Sequence, residues 1–465
     1  MKLKAVTATI AAAALTLGLA ACSPGGASTT GGSDAALQPG PNGSAKASDC
    51  TNKIVHKDAP LVTVWAWYPN MAKVVDNFNN GNSDVQACWR NAGQGTDEYN
   101  KFQTAVAAKK GAPDVVMLEA DHLPTFEIQN ALVDISGLGW DAVKGNFSSG
   151  AIKDVSSGDA VYAAPIDGGP MALIYRKDIF EKYGIDEAPK TWAQYAEDAA
   201  KVKEAGGPAF GDLGSNVPAV MMALQIQKGA QPFAYDYGKA KQDVTVKLDD
   251  QASKDVLGYW SDLSKKGLVG KQDQFTTDYI SGVVNGKYAT YVSAAWAPGY
   301  LTGAGVGKGA DKGKFAVAPL PQWDESNPVS VNWGGSALAV TTQATDKKLA
   351  AKVALGLYAD DASLQDGWRN QIIFPLNQSV LKSDEFIDAK VDFFDGQTAN
   401  KDVYIPAENA YKGFVYPPFV TYYYSELQKQ IASINNNGTS GEAAATAVQQ
   451  SVVKYAKSQG FKVTE

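Results

Sequence analysis

Residues Tyr162–Phe180, YAAPIDGGPMALIYRKDIF, decide how the rest of the chain is read. The stretch begins as a strand, breaks on Pro165, Asp167, Gly168, Gly169 and Pro170, and resumes as a strand at Met171. Proline removes a ladder donor and glycine weakens a strand interior, so neither suits a central strand. Why an apolar run in mid-chain stops for six residues and then resumes depends on what kind of protein this is.

The totals allow two cores. The chain has 465 residues, 45% hydrophobic and 20% charged, with a formal net charge of −7. That acidic balance argues against nucleic acid as a partner, which calls for a basic patch. Arginine is scarce, with only Arg90, Arg176 and Arg369 present. Phosphates and carboxylates are usually gripped by arginine forks, so the composition favours a neutral ligand.

Residues 1–21 read as a secretory signal, with basic MKLK followed by the short apolar run AVTATIAAAALTLGLA. The signal closes on LAAC, Leu19–Cys22, which resembles the lipobox of bacterial lipoproteins and implies lipid attachment at Cys22. The alternative is an ordinary signal followed by a free cysteine. Residues 22–52 are rich in Gly, Ser, Thr and Pro and read as a flexible tether. The expected location is the extracellular face of the bacterial cytoplasmic membrane, held by lipid alone. In that oxidising compartment Cys50 and Cys88 are expected to pair, the alternative being two separate buried thiols.

Further along, LVTVWAW, DVQACW and DVVML read as strands, separated by helical patterns. Tyr99, Phe102 and Val106 mark one helix face, stopped by Gly111 and Pro113. Thr191-Trp192-Ala193-Gln194 is a capping-box pattern opening a helix with Trp192, Tyr195, Ala199 and Val202 on one face. Alternating strands and helices argue for an α/β fold with a largely parallel sheet.

These segments resemble a known family. APDVVMLEADHLPTFEIQNALVDI, YAAPIDGGPMALIYRKDIFEKYGI with APKTWAQYAEDAAKVKE, NGKYATYVSAAWAPGYL, FAVAPLPQW with VNWGGSALAVTTQATDKKLAAKVALGLY, and GEAAATAVQQSVVKYAKS follow in order. Together they resemble the bacterial extracellular solute-binding proteins, family 1, although Arg176 stands where Asn or Asp is usual. The resemblance implies a two-lobe, periplasmic-binding-protein-like α/β fold of class II, with interleaved lobes joined by crossover hinge segments. On that resemblance VYAAP would finish in the first lobe, IDGGP would cross between lobes, and MALIYR would begin a strand of the second. Gly168 and Gly169 would supply backbone freedom at the crossing, and Asp167 would bond hinge backbone or a sugar hydroxyl. The expected lobes are 53–166 with about 333–374, and about 167–332 with 375–465. It further implies a monomeric lipoprotein that captures an oligosaccharide and passes it to the permease subunits of an ABC importer, with no cofactor and no metal.

A saccharide offers apolar C–H faces and a rim of hydroxyls, so its site calls for aromatic rings and hydrogen-bonding side chains. Ten Trp and 21 Tyr are available. Ligands of open α/β sheets sit beyond the carboxyl ends of strands. Trp67 and Tyr68 close the first strand and are cleft candidates, with core packing as the alternative. Asp121 and His122 follow DVVMLEA; Asp121 is expected to accept from sugar hydroxyls, or else to cap the next helix. Trp296 matches the family's stacking tryptophan, and Trp333 with Gly334 stands at the second crossing. Asn216 is a second-lobe candidate that an ordinary turn explains equally well. Of Tyr422, Tyr423 and Tyr424, at most two can face the cleft, and Tyr423 is taken with the site.

Two rival readings stand as alternatives: a binding lipoprotein for a peptide or polyamine and, more remotely, a secreted glycoside hydrolase. A glycoside hydrolase needs two carboxylates flanking the scissile bond, and Asp121 with Asp167 is a poor pair because Asp167 lies in the crossing. A peptide-binding protein would call for arginine, and a polyamine-binding protein for several converging acids; neither pattern is evident in the sequence.

Overall fold

The computed structural model describes residues 46–465 apart from Lys239 and Ile372, so Cys22, the signal and most of the tether lie outside the described residues. Eight strands form one sheet: β1 (Leu61–Trp65), β2 (Gln86–Arg90), β3 (Val115–Glu119), β4 (Ala163–Arg176), β5 (Thr290–Ala294), β6 (Phe315–Pro319), β7 (Asn332–Val340) and β8 (Phe374–Pro375). Its main path runs β5-β4-β7-β3-β1-β2, with β6 and β8 also paired to β4. β1 pairs in parallel with β2 and β3. Parallel neighbours need long connections, and helices α1 (Met71–Gly81) and α2 (Thr96–Ala108) supply them. α1 buries Met71, Val74, Val75 and Phe78; α2 buries Tyr99, Phe102 and Ala105.

Beyond β1–β3 the sheet departs from the largely parallel expectation. β7 runs antiparallel to both β3 and β4, and β5 and β6 run antiparallel to β4. The crossing strand is the second departure: β4 is unbroken over 14 residues, Ala163–Arg176. Its prolines stand near changes of partner. Pro170 is the last residue paired with β7, opposite Asn332, and Met171 is the first paired with β5, opposite Ala294. One strand therefore belongs to both halves of the fold.

The glycines of β4 allow close approach rather than unusual torsion. A Cβ on Gly169 would fall 1.9 Å from the Trp333 carbonyl oxygen, so the two crossing strands meet backbone to backbone there. The left-handed torsions lie instead on β7, at Gly334 (φ 81°) and Gly335 (φ 112°), where its register against β4 shifts. Only glycine adopts such torsions without strain.

Two apolar cores flank this sheet. The first gathers Val62, Val64, Phe78, Phe102, Val116, Leu118, Leu338 and Val353; it also takes in Phe315, Phe386, Phe393 and Tyr404. The second gathers Met171, Leu173, Tyr195, Trp260, Tyr423 and Val452. Helix α3 (Trp192–Glu204) follows its sequence signals closely. Gln194 N–H donates to Thr191 Oγ1 at 3.1 Å while Thr191 N–H donates to Gln194 Oε1, and Trp192, Tyr195, Ala199 and Val202 are its buried face. At the outer edge of the sheet, Cys50 and Cys88 form a disulfide with Cα atoms 4.9 Å apart. Thr51 N–H donates to Trp89 O at 3.0 Å and Asn52 Oδ1 accepts from Trp89 N–H at 2.7 Å, which covers the free edge of β2. Among the described residues no helix is long and apolar enough to cross a membrane.

Candidate functional site

The carboxyl end of β3 delivers Glu119, and the turn Ala120–His122 carries the chain into the helix Leu123–Glu127. Asp121 does not cap that helix, which has no side-chain cap. Its Oδ1 accepts from His122 Nδ1 at 2.5 Å and its Oδ2 from the Tyr424 hydroxyl at 3.0 Å. His122 stacks on Tyr99 with ring centroids 4.3 Å apart, and Trp67 meets Tyr99 edge-on at 5.6 Å. The Tyr99 hydroxyl donates to Glu119 Oε2 at 2.8 Å. A Trp67–Tyr99–His122 stack thus backs a Glu119–Asp121 pair.

Burial acts to raise Asp121, but the imidazolium of His122 and hydrogen bonds from His122 and Tyr424 outweigh it and hold this carboxyl below its ordinary range. Burial acts to lower His122, and the charge of Asp121 overcomes it and raises the imidazole. Glu119, desolvated and beside the Asp121 charge, is pushed up to about 7. Ligand atoms of Glu119, Asp121 and His122 lie within 4.8 Å of one another, as a metal site would require. Two of the three are bonded to each other, so the group reads as an ion pair with a neighbouring acid.

Asp167 faces both crossing strands. Its Oδ1 accepts from the Tyr68 hydroxyl at 2.5 Å and from Ser336 N–H at 2.8 Å, tying the segment after β1 to β4 and β7. Burial raises it to about 6 against those bonds. Tyr68 is accordingly buried beneath the crossing, edge-on to Tyr358 at 6.1 Å.

Two small cavities lie where the halves of the fold meet, each of about 10 Å³, room for about one water. One is lined by Asp154, Asp167, Gly168, Asn332, Glu408 and Tyr411, among others. The other is lined by Glu119, Asp121, Met222, Trp333, Tyr416 and Tyr424, with Asn332, Gly334 and Gly335 shared between the two. Contacts from the C-terminal segment close over them. The Tyr411 hydroxyl and Phe414 N–H both donate to Asp154 at 2.9 Å, and Ser148 Oγ donates to Glu408 at 3.2 Å. The cleft in this structure is shut.

At its half-exposed end stands an aromatic group. Trp296 Nε1–H donates to Trp333 O at 2.9 Å, and the two rings meet edge-on with centroids 4.8 Å apart. Phe275, 46% exposed, lies along Trp296 at 6.1 Å and edge-on to Tyr300 at 5.1 Å.

Sequence reasoning placed Trp67, Asp121, His122, Asp167, Trp296, Trp333 and Gly334 in or beside this region. Two candidates have other surroundings. Tyr423 is 1% exposed and packs on Phe233 in the second core; its neighbour Tyr424 is the one that turns to Asp121. Asn216 clamps a turn, its amide bonded at both ends to the backbone of Gln274 at 2.8 and 2.9 Å. Sequence reasoning missed Glu119, Asp154, Phe275, Tyr300, Asn332, Glu408, Tyr411 and Tyr416. Glu119 and Asn332 were within reach, since Asn332 adjoins Trp333 and Glu119 stands two residues before Asp121. The three arginines are engaged elsewhere: Arg90 with Asp49, Arg176 with Asp178 and Arg369 with Glu385.

Residues 73–395 match the family described as bacterial extracellular solute-binding protein. An arabinooligosaccharide-binding protein of Halalkalibacterium halodurans is 24% identical over 264 residues, 54% of this chain and 56% of that protein. That of Bacillus subtilis is 21% identical over 312 residues, 64% of this chain and 69% of its own length. Among solved structures, the ABC transporter associated binding protein from B. animalis subsp. lactis, in complex with β-1,6-galactobiose, is 27% identical. It covers 88% of this chain and 100% of that one, with a TM-score of 0.72. The galacto-N-biose-/lacto-N-biose I-binding protein of Bifidobacterium longum has the same fold, with a TM-score of 0.76 at 21% identity over 87% of this chain and 99% of its own. These relatives are binding proteins, not enzymes.

Proposed function

Since the chain belongs to the bacterial extracellular solute-binding proteins, we propose that it captures an oligosaccharide between its lobes for an ABC importer. The observation that carries this reading is the pairing of a half-exposed aromatic group, Trp296, Trp333, Phe275 and Tyr300, with carboxylates at the strand crossing. Rings cover the apolar face of a pyranose, and carboxylates accept from its hydroxyls. The sugar-bound relative from B. animalis, alike over most of its length, supports the same class of ligand. Cavities of about 10 Å³ hold no saccharide, so loading requires the lobes to part by the hinge motion of this class. β4 and β7, which span both halves, are the hinge.

The proposal extends to the chain ends of the process: lipid at Cys22 retains the protein at the membrane, the tether gives it reach, and the closed form docks on permease subunits. Titration calorimetry against arabino-, galacto- and gluco-oligosaccharides tests the ligand class. Binding of at least one series is expected; response only to peptides would overturn it. Cys22→Ser should release the protein from the membrane fraction, and retention there would refute the anchor.

A further inference from the structure

Five carboxylates line the two cavities of the closed cleft: Asp154, Asp167 and Glu408 in one, Glu119 and Asp121 in the other. No lysine or arginine lines either. The imidazole of His122 is spent on Asp121, and the Lys153 amine points to the Gly413 carbonyl at 3.4 Å. Otherwise these acids accept only from neutral donors: Tyr99, Tyr424, Tyr68, Tyr411, Ser148, Asn332 and two backbone N–H groups. The surroundings are therefore rich in acceptors and poor in positive charge.

A second, independent observation points the same way. Asn332 is 6% exposed and lines both cavities, and its Oδ1 has no hydrogen-bond partner. Its Nδ2 already donates to Glu408 Oε2 at 3.3 Å. A buried acceptor left without a donor costs stability and calls for a partner, an ordered water or a donor on a bound ligand.

We propose that the solute carries a protonated amine, an amino sugar within the saccharide, seated among Asn332, Asp154 and Glu408. This rests on the oligosaccharide reading and narrows it. A hydroxyl brings one donor together with acceptor lone pairs, whereas an ammonium brings three donors and no acceptor. Only the latter meets the Asn332 oxygen and neutralises a carboxylate at once, and charge-assisted bonds are the stronger kind. Burial raises Asp154 and Glu408 to about 7, and an ammonium held beside them would favour their ionised forms.

Calorimetry on the full chain with matched disaccharides tests the idea. The pairs are the glucosamine disaccharide against N,N′-diacetylchitobiose, and an amino-bearing β-1,6-galactobiose against galactobiose itself. The amine-bearing member is expected to bind at least tenfold more tightly in at least one pair. Glu408→Gln and, separately, Asp154→Asn should then bring that ratio toward one. Equal or tighter binding of the neutral members overturns the inference while leaving the oligosaccharide reading standing. Binding of spermidine with no response to any saccharide overturns both. The ratio measured on the unaltered chain decides the matter even if a variant fails to fold.

Discussion

The two ends of the cleft solve different problems with different side chains. At the closed end, Glu119, Asp121, Asp154, Asp167 and Glu408 are fixed by hydrogen bonds from tyrosines, serine, amide and backbone. At the other end, Trp296, Trp333, Phe275 and Tyr300 touch mainly ring to ring, with one indole N–H bonded to backbone. Directional bonds in a dry setting select which groups are accepted; apolar ring area holds a pyranose face without dictating its substituents. On the proposed oligosaccharide reading, the acidic end would set specificity and the aromatic end would supply contact area. The strands β4 and β7 run between them and keep the two in register.

Removing that common support gives the largest effect. Gly169→Ala would drive a methyl group into the Trp333 carbonyl, 1.9 Å away, and push β4 from β7. Overpacking against backbone should cost about 3 kcal/mol, read from urea unfolding, and should abolish any difference between the two ends. Trp296→Ala comes next. It removes a ring and the bond to Trp333, and should weaken saccharide binding by about 2 kcal/mol in calorimetry while leaving the unfolding midpoint nearly unchanged.

The acidic end is then probed by pH. Glu408 is fully buried, and burial raises it from an ordinary 4.5 to about 7. The folded state thus binds protons that the unfolded chain releases, so this contribution to stability is present below pH 4.5 and lost as pH rises to about 7. Between those values Glu408→Gln should flatten the fall in stability with rising pH, read from melting temperatures. Smallest is Phe275→Ala at the aromatic end, where the ring is 46% exposed; a loss of about 0.5 kcal/mol in affinity is expected, with no change in pH response.

The parts legible in the sequence were those whose cause is local. The capping box at Thr191 and the face Trp192, Tyr195, Ala199 and Val202 depend on neighbours within two turns, and both stand in the structure. The change of strand partners falls within the stretch read as a crossing, but the strand is unbroken there. Pro165, Gly168, Gly169 and Pro170 read as a break because their tolerance comes from β5, β7 and β8, which lie far away in the chain. Asp121 and His122 could be placed near the crossing from sequence because they directly follow the end of strand β3. Asp154 ends the short helix Ser149–Asp154 and Glu408 lies in the helix Ile405–Ala410; neither shows a pattern, and only folding brings them to one cavity. Choosing Tyr423 over Tyr424 was a matter of helix phase, about 100° per residue, which a triplet of identical residues does not reveal.

The Cys50–Cys88 bond bears on how the protein withstands being pulled. Tension arriving along the chain ahead of residue 50 passes through a covalent bond into β2, alongside the hydrogen bonds that Thr51 and Asn52 make to Trp89. Peeling that segment away one hydrogen bond at a time is thereby prevented, and the force is delivered to a strand held along its length by β1. Reducing the disulfide would move the point of first rupture to Thr51 and Asn52, a shift that single-molecule extension would register as an earlier, weaker event.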